Sequence, residues 1–283
     1  MQTQTKPLTQ VVCAVLYNRQ GQFLMNSRPA GKVCAGQWEF PGGKVEPGEN
    51  ALSALIREVK EELDLTLEQA VPWVTFEQTL PHARVCLHFY RSWWVSGTAK
   101  PAEGQTLGLF DSKNWPEPQL PAVARIREFM QLPSHWIRFE GSAQELIEQE
   151  AALTQKGVGA VIVRGFSAQE IANVQEQLHL QVWVPADDQA QALQASDGIV
   201  VSDVTQLPGL PAKALAVPAQ PQHWQAYEAA GAVLAYSQGI QVGSSAWHNL
   251  FQANPVPIYL SGLKLSNAEL LRPHGAQGWI DTL

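Results

Sequence analysis

Residues 43–65, GKVEPGENALSALIREVKEELDL, restrict the fold more than any other segment because they combine a helical apolar pattern with closely spaced acidic residues. Asn50 is a good N-cap, and apolar residues recur after it at helical spacing. We predict a helix that begins at Ala51 and buries one stripe of side chains: Leu52, Leu55, Ile56, Val59 and Leu63. Asp64 follows the helix, where a left-handed residue is common, and Asp tolerates that conformation at a cost of about 1 kcal/mol.

Three carboxylates of this helix, those of Glu58, Glu61 and Glu62, lie on a neighbouring arc at one edge of the buried face. Like charges at such distances repel one another unless a cation lies among them. Hard oxygen ligands suit Mg2+ and also Mn2+, and an ion held by them offsets the charge of phosphate oxygens. The turn at Pro41-Gly42-Gly43 lets the backbone approach a metal or a phosphate closely. The three carboxylates and the glycine turn therefore predict a metal site that binds a polyphosphate substrate. The alternative interpretation is that the carboxylates only form the solvated face of an amphipathic helix.

The segment resembles the box of the Nudix hydrolases, G-x5-E-x7-R-E-U-x-E-E-x-G-U, where U is aliphatic. The matching residues are Gly43, Glu49, Arg57, Glu58, Val59, Glu61, Glu62 and Leu65. Asp64 stands where the box has its second glycine. The resemblance implies a Mg2+-dependent hydrolase with five metal-binding groups: the Gly42 carbonyl, Glu58, Glu61, Glu62 and Glu103. In that family the residue matching Arg57 orients the carboxylates, and the general base would be Glu58 or Glu103.

Residues 36–49, GQWEFPGGKVEPGE, resemble the MutT branch of the family, which hydrolyses 8-oxo-dGTP to the monophosphate and pyrophosphate. The resemblance implies five substrate contacts: Arg28 and Phe40 at the base, Leu80 beside it, Lys44 near the phosphates and Gln119 at the edge of the oxidised guanine. Gln119 stands where the branch has an asparagine, and its extra methylene shifts the amide by about a bond length. His82-Ala83-Arg84 also departs from the branch pattern, and Phe40 and Arg28 can equally be a core residue and a surface charge.

Three hypotheses about activity follow. The first is hydrolysis of 8-oxo-dGTP, which would remove oxidised guanine nucleotides from the nucleotide pool. The second is hydrolysis of another nucleotide, for example an oxidised or methylated pyrimidine triphosphate, since related branches share the WEF and GG segments. The third is a nucleotide-binding regulator without turnover, against which the complete set of box acids argues.

The chain has 283 residues, which exceeds the usual size of one compact domain, so two domains are expected. In the first, residues 1–131, the resemblance implies a Nudix α/β/α sandwich with a mixed sheet. The local pattern agrees and predicts, besides the box helix, four strands and a closing helix at residues 11–18, 22–28, 71–80, 83–95 and 121–130. In the second, residues 135–283, strand and helix patterns alternate, which predicts a parallel sheet that is open or closed as a barrel.

The tail, residues 256–283, is similar to the closing units of thiamine phosphate synthase and its relatives. About 150 residues must here build a barrel that typically needs about 250. Only 19 − 13 = 6 of the basic residues lie after residue 131, and Ser261-Gly262 replaces the expected double glycine. We therefore expect a shortened, degenerate (β/α) barrel-like domain that binds a ligand or acts as a scaffold and does not catalyse.

Charge is divided unevenly between the two parts. Residues 1–131 carry 13 basic and 13 acidic side chains, so the later part has 26 − 13 = 13 acidic residues and the whole net charge of −7. Such a surface disfavours a nucleic acid polymer and favours a free nucleoside triphosphate as the partner. The sequence shows neither an apolar run that spans a bilayer nor a secretory signal, so we expect no membrane association and a cytoplasmic location.

Overall fold

A computed structural model describes residues 6–93, 97–206, 214–229, 231–238, 244–251, 253–261 and 276–282. The chain divides into two compact units, Met1–Gln131 and Leu132–Leu283. No helix in these ranges is both long enough and apolar enough to cross a bilayer.

The described residues of the first unit form a seven-stranded mixed sheet and two helices. Its elements are β1 (Leu8–Tyr17), β2 (Phe23–Ser27), β3 (Trp38–Glu39), β4 (Gly42–Lys44), α1 (Ala51–Leu63), β5 (Val71–Thr79), β6 (Arg84–Trp93), β7 (Leu107–Phe110) and α2 (Pro121–Gln131). The strand order is β3-β2-β1-β6-β5, with β4 paired to β1 and β7 to β2. β1 runs parallel to β6, and the remaining pairs are antiparallel. The predicted mixed sheet is confirmed.

Helix α1 begins and ends as predicted. The Asn50 side chain accepts a hydrogen bond from the Ser53 amide at 2.9 Å, and Asp64 adopts the left-handed conformation with φ 54° and ψ 27°. The predicted buried stripe is wrong at two positions, because Leu52 and Ile56 are 41% and 42% exposed. The helix is rotated so that Ala54 is buried with Leu55, Val59 and Leu63, which turns the Glu58 and Glu62 side of the helix inward.

The second unit is a closed barrel of eight parallel strands. Of the two arrangements that the βα pattern predicts, an open sheet and a barrel, the structure has the barrel. Its strands are β8 (His135–Arg138), β9 (Ala160–Ile162), β10 (Gln181–Pro185), β11 (Gly198–Val200), β12 (Ala214–Pro218), β13 (Leu234–Gln238), β14 (Ile258–Ser261) and β15 (Gly278–Thr282). The described helices are α3 (Ala143–Ile147), α4 (Glu150–Gln155), α5 (Ala168–Leu178), α6 (Ala190–Ala195), α7 (Trp224–Ala229) and α8 (Ser245–Leu250). These short elements let the barrel close within Leu132–Leu283.

Large side chains fill the interior of the barrel. Trp136, Trp183 and Tyr259 are each at most 1% exposed and form one cluster with apolar residues of the neighbouring strands. A second cluster, which includes Ile137 and Val182, packs the strands against the helices. Gly262 and much of the tail that resembles the synthase family, residues 262–275, lie outside the described residues.

Candidate active site

The first unit encloses a cavity of about 760 Å³. Its wall contains four carboxylates and three cationic side chains: Glu39, Glu58, Glu62, Glu103, Arg28, Lys32 and Lys44. Apolar residues form another part of the wall, among them Phe40, Leu80, Val85, Leu87, Phe89, Leu120 and Val123. A charged region beside an apolar region suits a ligand that has a phosphate chain at one end and a ring at the other.

Strand β4 supplies the glycines of the charged region. Its register pairs Cys13 with Gly42 and Val12 with Gly43. A Cβ atom at Gly42 would lie 2.0 Å from the Val12 carbonyl oxygen, so only glycine lets the two backbones approach this closely. A Cβ atom at Gly43 would lie 2.3 Å from Cδ of Glu58. The missing side chain at Gly43 therefore makes the space that the Glu58 carboxylate occupies.

Arg57 connects the elements around Glu58. Its guanidinium donates to both carboxylate oxygens of Glu49, at 3.1 and 2.9 Å, and to the Lys44 carbonyl at 3.0 Å. It also donates to Glu58 Oε1 at 2.9 Å and to Glu61 Oε2 at 3.2 Å. The Arg57 hydrogen bonds hold the pKa of Glu49 below its usual value. One arginine thus holds the loop before α1, the end of β4 and two box carboxylates in place.

Glu62 contacts the glycine turn, where its Oε2 accepts a hydrogen bond from the Gly42 amide at 3.1 Å. Burial is the main reason that the pKa of Glu62 is raised to about 7, and the carboxylates of Glu39, Glu103 and Glu58 contribute to this rise, while the Gly42 hydrogen bond opposes it. The Glu62 carboxylate is therefore a poorly solvated anion among other anions, which a cation would stabilise.

Glu61 and Glu103 face other partners. Glu61 is 59% exposed and is bonded to Arg57, whereas the Glu103 carboxylate accepts a hydrogen bond from Lys32 Nζ at 2.7 Å. Lys32 and Glu103 are about half exposed, at 51% and 45%. In the described part of the chain, no three acidic, histidine or cysteine side chains are already assembled as a metal site.

The residues predicted to contact the base have different surroundings. Arg28 and Phe40 line the cavity, as does Leu80, and Arg28 Nη1 lies 2.5 Å from Glu39 Oε2. Phe40 is 4% exposed and packs against neighbouring aromatic rings, so it also belongs to the core. Gln119 does not line the cavity, because its side-chain amide donates to the Pro116 carbonyl at 2.8 Å.

The first unit is similar to several known proteins. The NUDIX domain model matches residues 7–132. The CTP pyrophosphohydrolase of Escherichia coli K12 is 35% identical over 96 residues, which cover 34% of this chain and 71% of the relative. The chain belongs to the Nudix family. The 8-oxo-dGTP diphosphatase of the same organism is 26% identical over 125 residues, which cover 42% of this chain and 95% of that protein. A MutT Nudix hydrolase structure from Burkholderia pseudomallei is 26% identical and covers 45% of this chain and all of its own, with a TM-score of 0.41.

Nudix hydrolases generally use divalent metals such as Mg2+, and the donor set of this Nudix chain fits one. The available donors are carboxylate and carbonyl oxygens, which magnesium prefers over nitrogen or sulfur. Two observations support the fit: the raised pKa of Glu62 among other acids, and the space at Gly43 that holds the Glu58 carboxylate beside the β4 backbone. A divalent cation bound there would neutralise the cluster and stabilise the ionised form of Glu62.

The polar cavity residues that escaped the sequence prediction include Asn26, Lys32 and Glu39. Glu39 stands within the WEF segment and could have been noticed beside Phe40. Lys32 lies in an exposed loop without any motif. Asn26 interrupts the buried apolar strand FLMNS, and a polar residue in such a strand is a signal of a functional role.

Proposed function

We propose that this Nudix chain is a Mg2+-dependent nucleoside triphosphate pyrophosphohydrolase that converts 8-oxo-dGTP to 8-oxo-dGMP and pyrophosphate. The observation that carries the proposal is one cavity in which Glu58 and Glu62 meet the Gly42-Gly43 turn while Phe40 and apolar neighbours form another part of the wall. A phosphate chain fits the first region and a base fits the second.

We propose the following roles. The Gly42 carbonyl and Glu58, Glu61, Glu62 and Glu103 would hold Mg2+, which supplies charge neutralisation to the phosphates when bound. Arg57 would position Glu49, Glu58 and Glu61 through the hydrogen bonds described above. Lys44 would bind phosphate oxygens from the rim of the cavity. These assignments explain why a single arginine is bonded to so many acceptors.

Hydrolysis breaks a phosphoanhydride bond between the α- and β-phosphates as water attacks the β-phosphorus, the reaction that the MutT resemblance implies. The attacking water loses a proton, which Glu58 or Glu103 would accept. Both carboxylates form an ion pair, Glu58 with Arg57 and Glu103 with Lys32, but Glu58 is 16% exposed and Glu103 is 45% exposed. The less exposed position and the fixed arginine partner of Glu58 favour it as the base.

For the base, we propose that Arg28, Phe40 and Leu80 form the contact surface. The hydrogen bond from Gln119 to Pro116 means that Gln119 would need to change its rotamer to reach a base in the cavity. A second candidate activity is hydrolysis of CTP or an oxidised pyrimidine nucleotide, which the 35% identity to a CTP pyrophosphohydrolase favours. A regulator that binds nucleotide without turnover is the third candidate, and the intact acid set disfavours it.

Initial rates with 8-oxo-dGTP, dGTP, the other common dNTPs and CTP in Mg2+ test the proposal, with products separated by chromatography. Glu62→Gln serves as the blank, because it removes the buried charge and keeps the size of the side chain. The expected result is a large kcat/KM preference for 8-oxo-dGTP, with monophosphate and pyrophosphate as products. A preference for CTP would select the second candidate, and binding without turnover would select the regulator.

For the second unit, residues 135–283, we propose a thiamine phosphate synthase-like barrel without catalytic activity. Trp136, Trp183 and Tyr259 occupy its interior, and basic residues that could hold phosphate groups are few. Calorimetric titration of the full chain with thiamine phosphate tests this proposal, and no binding is expected. Tight binding would contradict the proposal and indicate a bifunctional protein.

A further inference from the structure

Asn26 is a buried amide in the cavity wall of the first unit. The residue is 3% exposed and lines the cavity, and its Oδ1 atom has no hydrogen-bond partner within the described part of the chain. Buried polar groups in proteins are nearly always paired, because an amide oxygen that has lost water without gaining a donor is costly. An unpaired buried oxygen in a cavity wall therefore indicates a partner that comes from a ligand.

A second acceptor stands next to Asn26. Asn26 and Glu39 are directly opposite in the antiparallel pair of β2 and β3, so their side chains share one face with Cβ atoms about 4.5–5.5 Å apart. Glu39 also lines the cavity, and Arg28 bonds to its Oε2 atom. A carboxyl group keeps an acceptor oxygen in either protonation state. This part of the wall thus presents two neighbouring acceptors.

We infer that Asn26 determines base specificity, with its Oδ1 atom accepting a hydrogen bond from an N–H group of the nucleobase. The inference rests on the proposed function, which makes a nucleotide the ligand of this cavity. Asn26 and Glu39 together match a base edge that has two adjacent donors. Gln119, whose amide is bonded to the Pro116 carbonyl, does not supply this contact.

Only guanine among the common bases has two adjacent donors on one edge, N1–H and the N2 amino group. Cytosine and adenine have a ring-nitrogen acceptor beside their amino group, and thymine has a carbonyl on each side of N3–H. An acceptor pair would face an acceptor of cytosine or adenine and leave it unpaired. The wall at Asn26 therefore selects guanine nucleotides over cytosine nucleotides, which separates the first candidate activity from the second.

Calorimetric titration of the full chain with dGMP, 8-oxo-dGMP and dCMP tests this inference without metal or turnover. The variants are Asn26→Leu, which keeps the size and removes both polar atoms, and Asn26→Asp, which keeps an acceptor. We expect the unaltered protein to bind the guanine nucleotides at least ten-fold more tightly than dCMP. Asn26→Leu should weaken guanine binding by about ten-fold or more and change dCMP binding little, and Asn26→Asp should recover part of the loss.

Thermal unfolding of the same variants excludes a merely structural role. Asn26→Leu removes an unsatisfied buried oxygen, so its melting temperature should equal or exceed that of the unaltered protein. Equal weakening of all three nucleotides with a lower melting temperature would overturn the inference. Selective guanine binding that Asn26→Leu leaves unchanged, or a preference for dCMP, would overturn it too and leave a nucleotide site standing. Absence of binding to every monophosphate would refute the proposed function and the inference together.

Discussion

Replacing Gly43 with alanine should separate activity from stability. An ideal Cβ atom at this position lies 2.3 Å from Cδ and Oε1 of Glu58, whereas ordinary contacts begin near 3.4 Å. The carboxylate must therefore move by about 1 Å, the difference between 3.4 and 2.3 Å. A displacement of about 1 Å in a reacting group can lower a rate about 100-fold.

The fold should tolerate this change. Gly43 does not have a positive φ, so alanine fits the backbone, and the obstructing atoms belong to the end of a flexible side chain. Replacing glycine also reduces the conformational entropy of the unfolded chain, which stabilises the folded protein by about 0.4–1 kcal/mol. We expect the free energy of unfolding of Gly43→Ala to stay within about 1 kcal/mol of the unaltered protein.

Gly42→Ala is the matched comparison. Its Cβ atom would lie 2.0 Å from the Val12 carbonyl oxygen and Gly42 has φ +150°, so relief requires the backbones of β1 and β4 to separate. We expect a loss of about 2–4 kcal/mol in unfolding free energy. Urea denaturation and kcat/KM on the preferred nucleotide measure both quantities. The reasoning would be refuted if Gly43→Ala kept activity within two-fold, or lost as much stability as Gly42→Ala.

Three further outcomes are expected. Arg57→Lys should lower kcat/KM at least ten-fold with little change in melting temperature. The reason is that one ammonium group cannot reach all the acceptors that the guanidinium joins, and near-normal kinetics would contradict it. Leu55→Ala should lower the free energy of unfolding, measured by urea denaturation, by about 2–5 kcal/mol, and Ile56→Ala should lower it by less than about 1 kcal/mol. The side chains differ in burial, at 0% and 42% exposed, and equal losses would disprove the orientation of the helix. Burial raises the pKa of Tyr227 to about 12, whereas tyrosine in the unfolded chain ionises near 10, so the free energy of unfolding should fall as pH rises from about 10 to about 12. Tyr227→Phe should lack this alkaline loss and gain about 1 kcal/mol at pH 7, because the buried hydroxyl it removes has no partner among the described residues; an unchanged alkaline profile would argue against this role.

Local signals in the sequence predicted the ends of α1 correctly. Asn50 and Asp64 act through bonds and dihedral angles within a few residues, so their roles can be recognised from neighbouring positions. The buried face was less predictable. Periodicity identifies an apolar stripe, but the rotation of the helix depends on where Glu58 and Glu62 meet the glycine turn of β4, and this left Ile56 exposed.

The composition of the cavity wall could not be predicted locally, because pairing between strands distant in sequence brings its residues together. Asn26 gains its neighbour Glu39 only through the register of β2 and β3, which no local pattern specifies. Gln119 matches a base-reading position in the sequence, yet a hydrogen bond three residues back along the chain holds its amide. Resemblance to a family predicts which residue type has a given role, but the rotamer of each side chain depends on its own neighbours in this structure.

The closure of the barrel has a consequence for the order in which this chain can fold as it is synthesised. Trp279 of β15 pairs with His135 of β8, so the closing contact joins residues 279 − 135 = 144 positions apart. The sheet of the first unit has all its strands once Phe110 has been made. At about 5–20 residues per second, roughly 7–30 s pass between the synthesis of β8 and that of β15. During that interval β8 exposes an unpaired strand edge, the kind of surface that chaperones cover.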